Sequence, residues 1–133
     1  MIVLDTHIWS WLVNGNFDNI SEGWIEQIEA NDFIAVSSIS CFEVALALQK
    51  GRLRLPCPIQ EWFDKSLSTA GINIAPLTPD ISRLAVDLSA VHKDPFDRII
   101  IATAISHGAK PASVDQLFLK YPELKGYLMT LSR

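Results

Sequence analysis

Four acidic residues stand out by their surroundings. Asp5 directly follows the apolar run Ile2-Val3-Leu4, and Glu43 lies inside the helical stretch that Gly51 ends. Asp97 sits in Asp94-Pro95-Phe96-Asp97-Arg98, at the mouth of the greasy segment Ile99–Ile105, and Asp115 closes Ala112-Ser113-Val114. Carboxylates crowded together repel, and the usual remedies are a shared proton or a hard cation. An oxygen-only set suits Mg²⁺ or Mn²⁺ better than zinc. His7, His92 and His107 show no ligand spacing and are not read as catalytic, and Cys41 and Cys57 form no CxxC pair. A divalent cation among acids serves phosphodiester hydrolysis by activating the nucleophile and steadying the leaving oxygen.

Such acids, far apart in sequence, meet only if the fold gathers them. Ile2-Val3-Leu4 is a short β run, and Thr6 is placed to cap a helix from His7 to Val13. Ser21 caps a second helix, Phe33–Val36 is the next strand, and Ser37-Ser38 opens a helix that Gly51 stops. A linker from Arg52 leads to a helix from Pro58 to Gly71, followed by a strand at Ile72–Ala75. Thr78-Pro79 starts a helix running to about Val91, and Asp94-Pro95 starts another that closes at Gly108. Ala109–Val114 reads as a strand, and Gln116–Arg133 as a short helix, a turn at Pro122 and an edge strand over Tyr127–Leu131.

Strands alternating with longer helices imply an α/β fold with a mainly parallel central sheet and helices on both faces. Ligands of such sheets bind beyond the carboxyl ends of the strands. Asp5 and Asp115 fall there, and Glu43 and Asp97 lie near the starts of helices that can face the same edge.

At 133 residues with 49% hydrophobic and 20% charged residues, the chain is expected to form one globular domain over residues 1–133. A formal charge of −4 argues against gripping nucleic acid by bulk electrostatics alone. It leaves room for a nucleic-acid enzyme whose bound cations reverse the local sign. No apolar run is long enough to cross a bilayer and no secretory signal is seen, so a cytoplasmic setting without membrane contact is expected, with both cysteines reduced.

Several segments in order, Val3-Leu4-Asp5-Thr6-His7-Ile8-Trp9, Ser37-Ser38-Ile39-Ser40 with Phe42-Glu43-Val44, Lys50-Gly51-Arg52-Leu53, Asp94-Pro95-Phe96-Asp97-Arg98 and Ser113-Val114-Asp115, resemble the PIN-domain ribonucleases, in particular VapC-type toxins of bacterial toxin–antitoxin pairs. The resemblance spans essentially the whole chain. It implies a PIN-like fold, Mg²⁺- or Mn²⁺-dependent endonucleolytic cleavage of RNA to 5′-phosphate and 3′-hydroxyl ends, a homodimer, and a cognate antitoxin whose tail enters the active-site groove. On it, Asp5, Glu43, Asp97 and Asp115 are the acidic quartet. Thr6 and Ser113 match the accompanying hydroxyl residues, Ser113 standing where the family usually has Thr.

Plainer roles compete for the same residues. Asp5 could cap the first helix, and Ser40-x-x-Glu43 fits a capping box unless the helix starts at Ser37 or Ser38. Asp94 reads as a cap that supports the site, while Arg98 either pairs with an acid or reaches a phosphate. Lys50, Arg52 and Arg54 follow a helix C-terminus, where cations complement the dipole, and are alternatively contacts to an RNA backbone. Trp9, Trp11, Trp24 and Trp62 follow helical faces and read as core or interface residues, with base stacking the lesser alternative. A phosphatase with Asp5 as covalent nucleophile generally wants an acid two residues on, where this chain has His7. A non-catalytic domain binding RNA or an antitoxin-like protein is the remaining alternative.

Overall fold

The structure, a computed structural model, describes residues 1–126. Its elements run β1 (Ile2–Leu4), α1 (Thr6–Asn14), α2 (Glu22–Glu29), β2 (Ile34–Ser37), α3 (Ser38–Gln49), α4 (Ile59–Asp64), β3 (Ile72–Ala75), α5 (Pro79–Asp87), α6 (Pro95–Ser106) and β4 (Lys110–Ala112). The four strands form one parallel sheet in the order β3-β2-β1-β4. Successive crossovers carry the chain outward from β1 to β3, and β4 then returns to the other side of β1. The order therefore reverses at β1, so the carboxyl ends of β1 and β4 flank the switch point where such sheets bind ligands.

Alternation along β1 divides the core. Ile2 and Leu4 pack on one face with Ile8, Trp9, Trp24 and Trp62, and Val3 packs on the other with Ile100 and Ala104 of α6. Helices thus cover both faces. A third cluster joins Ile81, Ala85 and Ile101 of α5 and α6 to Phe118 and Tyr121 of the closing turns. Trp9, Trp24 and Trp62 are buried, as expected of core residues, and Trp9 is satisfied by an indole bond to the Ser66 carbonyl at 3.0 Å. Both cysteines are free thiols. Among the described residues no helix is long and apolar enough to cross a membrane.

Several boundaries differ from the expected ones. The cap of α1 is Asp5, whose Oδ1 accepts from the Ile8 N–H at 2.8 Å, and Thr6 is the first helical residue. The helix expected from Pro58 to Gly71 is α-helical only to Asp64 and continues as a π-helical turn over Lys65–Thr69. α5 ends at Asp87 instead of Val91, because Arg98 captures the carbonyls with which the helix would continue, including Ala85 and Leu88. β4 spans three residues instead of Ala109–Val114. Pro111 pairs opposite Val3 there, which an edge strand tolerates, since proline has no N–H to offer an outer neighbour. The final segment forms two 3₁₀ turns, Gln116–Lys120 and Pro122–Leu124. The edge strand expected over Tyr127–Leu131 lies outside the described residues.

Candidate active site

The end of β1 delivers Asp5 to this switch point, and its main-chain N–H is tied to the Ala112 carbonyl of β4 at 3.0 Å. That tie sets Asp5 near Ser113, whose hydroxyl accepts from the Asp115 N–H at 3.1 Å and helps lower the Asp5 carboxyl. Asp5 is therefore both the cap of α1 and a buried acid at the strand edge. Burial pushes its carboxyl up, and Ser113 and the Ile8 N–H offset part of the rise.

Thr6, released from capping, turns to α3. Its hydroxyl donates to Glu43 Oε1 at 2.5 Å and lies 2.9 Å from Ser40 Oγ. Ser37 caps α3 through the Ile39 N–H, so the Ser40–Glu43 capping box does not form and the Glu43 side chain is available to the site. Burial also raises the Glu43 carboxyl; the Thr6 bond opposes this, and the charges of Asp94 and Asp5 reinforce it.

Asp97 is the third residue of α6, after Pro95, with Asp94 as the cap accepting from the Phe96 N–H at 2.9 Å. Burial, with the charge of Asp94 next, lifts Asp97 from the usual 3.8 to about 6, against a lowering by His92. The charges of Glu43 and Asp115 add to the rise. Asp115 caps the first 3₁₀ turn through Oδ1, and its Oδ2 lies 2.9 Å from His92 Nε2.

His92 is the residue that sequence reasoning set aside. It is buried, stacked on Tyr121 and edge-on to Phe118. Its Nδ1 is 2.9 Å from the Tyr121 hydroxyl, and Nε2 also comes within 3.7 Å of Asp97 Oδ2. In the neutral tautomer that fits both short contacts, Nε2–H donates to Asp115 and Nδ1 accepts from Tyr121. Its side-chain partners Asp115 and Tyr121 lie 23 and 29 residues away, so no local spacing marks it.

Among the described residues Arg98 forms no ion pair with an acid, although its charge helps lower the Glu123 carboxyl. Its guanidinium donates to the carbonyls of Ala85, Val86, Leu88, Ser89 and His92, at 2.7 to 3.3 Å. It closes the end of α5 and pins the loop that carries His92. Its support of the site is structural.

Ligand atoms of His92, Asp97 and Asp115 lie within 4.8 Å of one another, a spacing that one cation can bridge. Asp5 and Glu43 stand outside that group but share its field, Asp5 with Asp115 and Glu43 with Asp97. Three carboxyls pushed up by burial and mutual repulsion are what a divalent cation relieves, so the donor set fits a hard or borderline metal.

The family model described as PIN domain matches residues 2–124. The chain belongs to the PIN domain family. Its fold also matches solved PIN-like chains. It covers 92% of its length and 95% of a chain in the crystal structure of VapBC2 from Rickettsia felis bound to a promoter DNA fragment, with a TM-score of 0.70 at 21% identity. A chain of a toxin–antitoxin complex from Klebsiella pneumoniae superposes with a TM-score of 0.64 at 22% identity, covering 98% of this chain and 97% of the other. In sequence, the chain is 34% identical to ribonuclease VapC22 of Mycobacterium tuberculosis over 119 residues, which is 86% of this chain and 87% of the relative. The sheet and its helices account for the placement of the acids: Asp5 and Asp115 follow the ends of β1 and β4, and α3 and α6 carry Glu43 and Asp97.

Proposed function

We propose that this PIN-domain chain is a metal-dependent endoribonuclease, the toxin component of a toxin–antitoxin system, acting on RNA in the cytoplasm as a homodimer under a cognate antitoxin. One globular domain over residues 1–133 belongs to the same reading. The observation that carries it is the convergence of Asp97, Asp115 and His92 within 4.8 Å, with Asp5 and Glu43 alongside, at the edge where parallel sheets bind ligands. The relatives' printed descriptions, a ribonuclease and toxin–antitoxin complexes, support the substrate and the partner.

Asp97 and Asp115, with Asp5 and Glu43 completing the set, would hold one or two Mg²⁺ or Mn²⁺ ions. When bound, such ions supply neutralisation of the phosphate's charge and acidify water. The Ile8 N–H fixes Asp5, with Ser113 lowering its carboxyl, and Thr6 fixes Glu43. Glu43, outside the tight group and with a raised proton affinity, is placed to take the proton of an attacking water. Asp94 shapes the start of α6 and adds negative potential that raises Asp97.

The test is cleavage of RNA by the purified protein with Mg²⁺ or Mn²⁺, compared with Asp97→Asn and Asp5→Asn. The wild type is expected to cut and both variants to lose activity by at least ~100-fold. Unchanged activity in the variants removes the proposed site, and a wild type that binds RNA or an antitoxin-like protein without cutting favours the non-catalytic reading.

A further inference from the structure

Beside the acids runs a groove of about 580 Å³ between α1 and α3, with Thr6 and Glu43 at one end and Lys50, Arg52 and Arg54 along its wall. Among the described residues, no carboxylate pairs with any of these three cations. All three are exposed in a chain of net negative charge.

Their display is built. Gly51, at φ +71°, ends α3 by letting the Arg52 N–H reach back to the Ala47 carbonyl. After it, Leu53 and Leu55 are half-buried against the core while Arg52 and Arg54 are exposed. Leu53 and Leu55 thus anchor the segment to the core, and Arg52 and Arg54 line the groove on either side of Leu53. Complementing the helix dipole accounts for Lys50, at the C-cap, but not for Arg54, beyond the last turn. His7 and Trp11 lie on the same groove with rings 5.8 Å apart, His7 exposed and Trp11 half-buried. A row of unpaired cations beside an accessible aromatic pair is the pattern that tracks an unpaired strand, with phosphates on the cations and a base on the ring.

We propose that this groove holds a single-stranded segment of the RNA next to the scissile bond, its phosphates on Lys50, Arg52 and Arg54 and one base against Trp11 and His7. The proposal rests on the nuclease reading and adds the path of the substrate. An acidic protein segment would also suit the cations, but the aromatic pair and the continuity with Thr6 and Glu43 favour RNA.

The test uses the full chain carrying Asp97→Asn, to prevent cutting, and a fluorescent unstructured RNA of about a dozen nucleotides, read by anisotropy at several NaCl concentrations. Adding Lys50→Gln, Arg52→Gln and Arg54→Gln is expected to flatten the slope of log affinity against log salt by ~0.7 per cation removed. Trp11→Ala is expected to weaken binding about tenfold with the slope unchanged. Neutralising Lys110 and Lys120, exposed cations outside the groove, leaves the slope unaltered, and unfolding curves confirm that each variant is folded. Wild-type affinity and slope in the folded triple variant overturn the groove assignment even where the wild type cleaves RNA. Equal affinity for a duplex of the same length overturns the single-strand assignment. If the wild type cleaves no RNA, the nuclease reading fails by itself; if the Asp97→Asn chain binds no RNA, the groove assignment fails.

Discussion

Replacing Asp97 with asparagine should destroy cleavage and yet stabilise the metal-free protein at high pH. The carboxyl is raised from 3.8 to about 6, chiefly by burial and then by Asp94. In the unfolded chain it ionises near 3.8, so between about 3.8 and 6 the folded state binds the extra proton and stability falls as pH rises. Above 6 the full penalty is present. At ~1.4 kcal/mol per pH unit it reaches at most ~3 kcal/mol at pH 8, and about half that at pH 5. Asparagine keeps the shape without the charge. Urea unfolding in EDTA should therefore show Asp97→Asn more stable than wild type by up to ~3 kcal/mol at pH 8, with the gain shrinking toward pH 5. Adding Mn²⁺ should then raise the wild type, by ~2.7 kcal/mol at a hundred times its dissociation constant, and leave the variant nearly unmoved. A variant no more stable than wild type at pH 8 in EDTA, or a gain independent of pH, would refute the electrostatic account of the site.

Three further substitutions separate the roles around it. Thr6→Val removes the hydroxyl that holds Glu43 while Asp5 still caps α1, so it should slow cleavage by roughly tenfold and cost only ~1 kcal/mol in urea unfolding. Arg98→Met strips five carbonyls of their donor and should destabilise the chain by ~3 kcal/mol, read by thermal or urea unfolding, with little direct effect on metal affinity. His92→Gln cannot reproduce the bridge from Tyr121 to Asp115. It should weaken Mn²⁺ binding by roughly 10–100-fold in calorimetry, the scale expected when a group that orients a ligand is lost.

The parts of this fold that are legible in the sequence are those set by local chemistry. β1, β2 and β3 are short apolar runs, and α6 is announced by Asp94-Pro95, a cap followed by a residue with preset φ. The position of Asp5 at a strand end follows from Ile2-Val3-Leu4 alone. Long-range partners decide the rest. Asp5 and Thr6 can each cap α1, and the outcome depends on Glu43, which occupies the Thr6 hydroxyl from 37 residues away. The end of α5 is set by Arg98, more than a turn into the following loop and helix, and the length of β4 by where Pro111 meets Val3. His92 shows the same limit within the site, since an isolated histidine before Asp94 has no spacing that betrays Tyr121 or Asp115 as neighbours.

The most direct test of the central claim follows metal occupancy and RNA cleavage in the same samples, by titrating Mn²⁺ into EDTA-treated protein and reading single-turnover cutting alongside paramagnetic resonance of the bound ion. Cutting should rise in step with occupancy in the wild type, with both signals lost in Asp97→Asn. Cleavage that persists in EDTA, or at the wild-type rate in Asp97→Asn, would contradict a metal-dependent nuclease built on these acids.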